Sequence, residues 1–349
     1  MSYQCRNLLV TGAAGFIGSN FVHMMSERYS RLRIISLDKL TYAGNKANLD
    51  KVREFDSHLF IEGDIGDKEL VTSLLNQYEI DTIVHFAAES HVDNSIKNPL
   101  VFLQTNVLGT FTLLEAARHY WLDKKHWDNH SCRFHHISTD EVYGSLDHDE
   151  PAFTEMNRYQ PNSPYSASKA SSDHLVRAYF HTYQLPVTTS NCSNNYGPYQ
   201  HKEKLIPTVI DCCINQRPIP VYGDGLNARD WLFVKDHCDA IDLILRKGHV
   251  GEVYNIGGNN ELDNLTLIKH ICQIMDQFLP QKAPHEKLIS FVQDRKGHDK
   301  RYAINNEKIY KELGWSPTGN FTEHLVETIK FYLNQNLKLR NSDLMASSS

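Results

Sequence analysis

The chain has 349 residues, 41% hydrophobic and 22% charged, enough to bury the core of one large domain or two ordinary ones. Its 36 Lys and Arg against 42 Asp and Glu give a net charge of −6, which argues against a nucleic-acid surface. No apolar run comes near the roughly 20 residues that span a bilayer, and the seven cysteines show no Cys-x-x-Cys spacing, so no membrane anchor, disulfide framework or metal site is expected.

The N-terminus, MSYQCRNLLVTG, leads straight into a strand rather than through a charged and then apolar leader, which points to a cytoplasmic protein. The strand Asn7 to Thr11 runs into Gly12-Ala-Ala-Gly15-Phe-Ile-Gly18 and a helix to about Arg28. Glycines at such a turn let the backbone approach a pyrophosphate at the helix N-terminus. The same cluster also fits a tight βα turn with no ligand.

The next strand, Leu32 to Leu37, ends at Asp38, 20 residues after Gly18. An acid there accepts hydrogen bonds from adenosine ribose hydroxyls and repels a 2′-phosphate, favouring NAD over NADP, although Lys39 follows directly. Further strands are expected at His58 to Ile61, with Asp64-Ile65 following, and at Ile83 to Ala88. Pro99 opens a long helix to about Trp121 in which Thr105, Asn106 and Gly109 are small or polar enough to lie against a ligand or a partner helix.

Arg133 to Ile137 reads as a buried parallel strand that delivers Ser138-Thr139-Asp140-Glu141 to its carboxyl end, where open α/β sheets place their ligands. Adjacent acids are most often a solvated loop. In the helix from about Pro164 to Tyr183, Tyr165 and Lys169 are four apart and share a face. A phenol needs a nearby cation to act as a base near neutral pH, its ordinary pKa being about 10. Tyr-x-x-x-Lys also occurs by chance on many helices; the two features together, downstream of the glycine turn, favour a functional reading. Alternating strands and helices predict a mostly parallel, doubly wound sheet.

Residues Ser193 to Tyr199 read as a polar turn cluster rather than a strand. Beyond them Pro207, Pro218 and Pro220 punctuate shorter segments, and a terminal helix is expected from about Thr322 to Asn334. The expected division is 1–192 for a dinucleotide-binding domain, with strands added from about 230–258. A smaller, mainly ligand-binding α/β domain follows at 193–335, and a flexible tail at 336–349.

The glycine turn, Tyr165-x-x-x-Lys169 and the parallel sheet resemble the extended short-chain dehydrogenase/reductase superfamily, a Rossmann-type fold. Four further stretches are similar to the dTDP-glucose 4,6-dehydratases within it: Ser138 to Gly144, Phe86 to Asp93, Ser193 to Gln200 and Gly223 to Trp231. The resemblance implies catalysis by Thr139, Asp140, Glu141, Tyr165 and Lys169. Tyr165 would be the base for the 4-hydroxyl, Glu141 the base for the carbon 5 proton, and Asp140 the acid for the carbon 6 hydroxyl. It implies NAD contacts from Gly12, Gly15, Phe16, Ile17, Gly18, Asp38, Lys39, Thr41, Asp64, Ile65, Phe86, Ala87, Ala88, Ser90, Thr105, Tyr165, Lys169 and Asn195. For a nucleoside-diphosphate sugar it implies Ser90, Thr139, Asn194, Lys204, Leu205, Pro220, Tyr222, Arg229, Asn264, Arg295 and His298. A lone arginine such as Arg229 or Arg295 is more often a salt-bridged surface group than a phosphate fork. A homodimer is also implied, through the helices opening at Pro99 and Pro164, with Leu103, Leu113, Leu114, Leu175, Val176 and Tyr179 as surplus apolar positions. The rival readings are a UDP-sugar 4,6-dehydratase, 4-epimerase or decarboxylase on the same scaffold, and a catalytically silent NAD-binding protein.

Overall fold

A computed structural model describes residues 3–294 and 298–346, with side chains described as far as residue 337. In chain order the strands are β1 (Asn7–Thr11), β2 (Arg33–Asp38), β3 (His58–Glu62), β4 (Thr82–His85), β5 (Arg133–Thr139), β6 (Val187–Cys192), β7 (Asn194–Tyr196), β8 (Ile219–Tyr222), β9 (Ala228–Phe233), β10 (Val253–Ile256), β11 (Glu261–Asp263) and β12 (Ile289–Val292). Seven of them form one sheet in the order β10-β6-β5-β4-β1-β2-β3, parallel at every pairing. The order reverses between β1 and β4, the crevice where a doubly wound sheet takes its ligand. Val, Ile and Leu dominate β1, β2 and β4, as strands buried on both faces require.

Helices Lys68–Gln77, Thr110–Arg118 and Pro164–Tyr183 cover one face over a core that includes Leu9, Ile83, Leu113, Trp121 and Phe134. Helices Phe16–Arg28 and Val234–Lys247 cover the other over Leu8, Val10, Phe21 and Val84. A separate core containing Ile206, Val209, Trp231, Leu267 and Ile271 lies in the second half of the chain. There β11-β9-β7 and β12-β8 form two small sheets. Pro220 sits in β8, an edge strand in which the missing N–H breaks no ladder beyond the single partner β12.

The structure differs from expectation at several elements. Asn194–Tyr196 is a strand, paired in parallel with β9, rather than part of a turn. Of the strands expected at 230–258, Val253–Ile256 joins the large sheet, whereas Ala228–Phe233 lies in a small one. The last helix runs from Phe321 to Ala346, past both Asn334 and the expected start of the tail.

The helix opening at Pro99 reaches Lys124 and is long and apolar enough, by length and composition, to cross a membrane. Its Leu113, Leu114, Ala117 and Trp121 nevertheless fill the core beside the sheet. It contains two π-helical stretches, Leu103–Gly109 and His119–Lys124. The expected surplus of apolar positions needs correcting here: Leu113, Leu114, Val176 and Tyr179 are buried inside the chain and Leu175 packs against that core. Leu103, together with Leu100, Leu108 and Phe111, faces outward.

Candidate active site

At Gly12 the backbone has φ +68°, and a Cβ there would lie 2.6 Å from the Ala87 nitrogen, so only glycine lets the loop after β4 pass this closely. A Cβ on Gly18 would meet the Gly12 oxygen at 2.2 Å, which fixes the approach of the helix to the turn. That helix begins at Gly15 with no side-chain cap and no acid in its first turn, so its leading N–H groups stay open to an anion. The Asp38 carboxylate accepts from Ala14 N at 2.9 Å and Leu40 N at 2.8 Å, holding the two cofactor-side loops together. Lys39, which weakened the preference for NAD, is engaged by Asp64 at 2.6 Å.

These groups line one cleft of about 310 Å³ at the carboxyl ends of the large sheet. All eighteen residues expected to touch the cofactor line it, and so do Thr139, Asp140, Glu141, Asn194 and Lys204. Leu205, Pro220, Tyr222, Arg229, Asn264 and His298 do not line it, and Arg295 lies outside the described residues. Leu205 opens a helix and packs on the second core. Pro220 and Tyr222 lie in β8, and Asn264 starts the Asn264–Phe278 helix. His298 lies 2.7 Å from Asp294.

Arg229 departs furthest from its expected role. Its guanidinium is buried, lies 4.3 Å over the Tyr302 ring and donates to the carbonyls of Ala228, Lys300 and Asp299. Here it braces the 299–302 segment and sets a positive charge behind the acid pair rather than presenting a fork to the cleft.

Strand β5 ends on the catalytic candidates. The Thr139 hydroxyl caps the short turn Asp140–Tyr143, accepting from Glu141 N at 3.3 Å and donating to Asp140 Oδ1 at 3.3 Å. Asp140 is 2% exposed, and among the described residues its buried Oδ2 has no hydrogen-bond partner. Burial, then the Glu141 and Asp230 carboxylates, hold its pKa well above the ordinary range, with Arg229 opposing.

The Pro164–Tyr183 helix starts on a reciprocal capping box, Ser163 with Ser166, and a proline in its first turn. One face carries Tyr165, Lys169 and Asp173, all buried. Lys169 Nζ donates to the Ile137 carbonyl of β5 at 2.7 Å. Burial lowers the Lys169 pKa, with Asp173 opposing. Asp173 accepts from Ser138 Oγ at 2.7 Å and lies 3.1 Å from His136 Nε2, and burial raises it to about 6. Burial, then the Glu141 carboxylate, push the Tyr165 phenol well above 10. A base role therefore needs positive charge beside the phenol.

Across 94% of its length the chain is superimposable, at a TM-score of 0.85 and 45% identity, on 97% of a Streptomyces venezuelae dTDP-glucose 4,6-dehydratase solved with NAD and TYD bound. A dTDP-glucose 4,6-dehydratase of Xanthomonas campestris is 54% identical over 328 residues, 93% of this chain and 92% of its own. The family model described as GDP-mannose 4,6 dehydratase matches residues 9–328. The chain belongs to the dTDP-glucose 4,6-dehydratase family. A Thermotoga maritima UDP-glucose 4-epimerase shares the fold at a TM-score of 0.82 but only 26% identity, covering 94% of this chain and 99% of that one.

Sequence reasoning missed several residues of this dehydratase cleft: Cys192, Ser193, Gln200, His201 and Glu203 line it too. It also missed two braces. Asn106 clamps the Glu89 backbone from both sides (2.8 and 3.0 Å) and donates to Ser168 at 2.8 Å, tying the loop after β4 to the Tyr165 helix. His237 Nδ1 lies 2.9 Å from Asn195 Oδ1, holding that amide at the cleft wall. The amide at 106 stood out only as one small or polar position among three, and nothing in the local sequence marked His237.

Proposed function

We infer that the chain converts dTDP-glucose to dTDP-4-keto-6-deoxyglucose, a hydro-lyase reaction with NAD retained through the cycle. The observation that carries this reading is a buried, partner-seeking carboxyl, Asp140, beside Glu141 in the same cleft as Tyr165 and Lys169. Epimerisation needs only the redox step, so a second acid and base at the end of β5 are surplus to it. A silent NAD-binding protein needs none of the four.

NAD fits the residues present. The glycine turn leaves no room for a Cβ, the helix behind it is uncapped, and Asp38 ends β2 at the adenosine side. When bound, NAD supplies the acceptor that takes hydride from carbon 4 and returns it to carbon 6. The chain supplies the proton chemistry. Tyr165 removes the 4-hydroxyl proton, with the Lys169 ammonium one helical turn away supporting the phenolate. Thr139 positions that hydroxyl. Glu141 takes the carbon 5 proton, acidic once carbon 4 is a ketone, and Asp140 protonates the carbon 6 hydroxyl, which leaves as water. Glu141 gives its proton back to carbon 5 when carbon 6 is reduced. Each such proton transfer is worth roughly 10²–10⁴-fold.

Asn194 and Lys204 are proposed to meet the nucleotide sugar from the cleft wall, and Ser90 from the cofactor side. The remaining expected contacts (Leu205, Pro220, Tyr222, Arg229, Asn264, Arg295 and His298) stay proposals for a substrate-bound arrangement. The chain is further proposed to pair with a second copy through Leu100, Leu103, Leu108 and Phe111, an outward apolar stripe on one helix. A cytoplasmic location is proposed from the substrates and from seven free cysteines, which suit a reducing compartment.

The test is incubation with dTDP-glucose and, separately, UDP-glucose, reading the alkali-induced ultraviolet absorbance of a 4-keto-6-deoxy sugar. Product from dTDP-glucose supports the reading. Interconversion of 4-epimers without that absorbance would overturn it.

A further inference from the structure

A second cavity, of about 510 Å³, opens at the other pole of the large sheet, where the parallel strands begin rather than end. It lies beside Arg133, the first residue of β5, whose last residue is Thr139; seven strand residues put roughly 20 Å between the two poles. Its lining contains Arg133, Arg246, Lys247, His130 and His249 and no carboxylate, in a chain whose net charge is −6.

Arg133 is the unusual member. It is 5% exposed, and a buried cation is normally matched by a carboxylate. Here Nη1 donates to the carbonyls of Leu245 and Gly248, at 3.2 and 3.1 Å, and the guanidinium lies 4.9 Å over the Tyr3 ring. Nε is buried with no hydrogen-bond partner, and no ion pair reaches the residue among the described residues. The two carbonyls close the Val234–Lys247 helix, so its negative end offsets part of the charge. The Asp81 carboxylate, beneath Tyr3, is already held by the Arg6 and Asn7 backbone and by Thr82, and does not line the cavity. Arg246 is paired with Asp242 at 3.1 Å, whereas Lys247, His130 and His249 have no ion pair among the described residues. Burial lowers the Arg133 pKa, as expected for an incompletely matched cation.

We propose that this cavity is a second ligand site that takes a phosphate group, with the Arg133 guanidinium at its floor and Lys247 and His249 at its rim. Guanidinium suits phosphate because its planar donors match two oxygens at once, and a rim ammonium adds charge without fixing geometry. The site is separate from the diphosphate of the sugar substrate, which belongs to the cleft at the opposite ends of the strands.

The experiment uses the full chain with NAD and thymidine diphosphate at saturation, so that the catalytic cleft is filled. Binding of radiolabelled orthophosphate and of pyrophosphate is measured by equilibrium dialysis at constant ionic strength. One saturable site per chain is expected, weakened at least about tenfold by Lys247→Glu, an exposed position whose change leaves turnover of dTDP-glucose unaltered. Arg133→Lys, which keeps the charge but loses the fork, should weaken binding as well. Pyrophosphate binding tenfold or more tighter than orthophosphate identifies a diphosphate-bearing ligand, and equal binding identifies free phosphate or a single terminal phosphate. No saturable binding with the cleft filled, or binding that Lys247→Glu leaves unchanged, overturns the proposal.

Discussion

The hydroxyl of Thr139 donates to one oxygen of Asp140 at 3.3 Å, while the other carboxyl oxygen is buried without a partner among the described residues. Burial, then the Glu141 and Asp230 carboxylates, hold the Asp140 pKa well above the ordinary range, which favours the protonated form that an acid role requires. Asp140→Asn should leave oxidation at carbon 4 largely intact and slow elimination by about 10²-fold or more. Glu141→Gln should abolish solvent exchange of the carbon 5 proton while still allowing transient NADH, and Tyr165→Phe should suppress NADH itself. Single-turnover NADH absorbance with deuterium incorporation at carbon 5 separates the three. Equal loss of NADH formation in all of them would mean that the carboxylates serve the redox step or binding.

The same burial carries a stability cost with a defined sign. An unfolded Asp ionises near 3.9, so at higher pH folding must keep the Asp140 proton on or bury its charge. Wild type and Asp140→Asn should differ least near pH 4. The variant should gain in relative stability as the pH rises toward 7.5. Urea midpoints at the two pH values check this; a variant that loses stability on going to pH 7.5 contradicts it.

Asp173 faces Lys169 from its own helix, Ser138 and His136 from β5, and Tyr159 and His174 nearby. Raised to about 6 by burial, it gains its negative charge as pH passes through that value and then helps to keep the Lys169 ammonium protonated. The rate of NADH formation in wild type should therefore climb through pH 6, by about tenfold for an interaction worth one pKa unit. Asp173→Asn should stay near the low-pH level throughout. A pH profile in the variant that retains the limb would assign it to another group.

Leu103 and Leu108 are 48% and 58% exposed, so replacing them leaves the core of the chain untouched. Wild type should behave as a dimer at micromolar concentration by light scattering. Leu103→Glu combined with Leu108→Glu should halve the mass while circular dichroism stays the same. A monomeric wild type, or a dimeric double variant, would place the pairing surface elsewhere.

What the sequence disclosed was local. The glycine turn and the Tyr165–Lys169 spacing are each written within a few residues, and each folds as read. The placement of Arg229 was not legible, because carbonyls some 70 residues later turn it inward. Asn194–Tyr196 is a strand only because β9 lies beside it, and three residues carry no period of their own. On the helix opening at Pro99, apolar residues cover two faces and a π-helical stretch shifts their phase. Composition could not tell which face meets the sheet, and the inward residues Leu113 and Leu114 were mistaken for part of the outward stripe.

The seventh strand of the large sheet, Val253–Ile256, is made only after β7, β8 and β9 of the two small sheets, and it lies against β6, whose six residues are all buried. On the ribosome, the dinucleotide half therefore waits with an open strand edge until some sixty further residues emerge. A fragment ending at residue 192 would keep the glycine turn, the acid pair and Tyr165, yet leave the β10 side of β6 as an unpaired strand edge prone to pairing with its neighbours. The half that holds the chemistry is thus not a unit that can be cut free; its border is sealed by the part of the chain that comes last to the sheet.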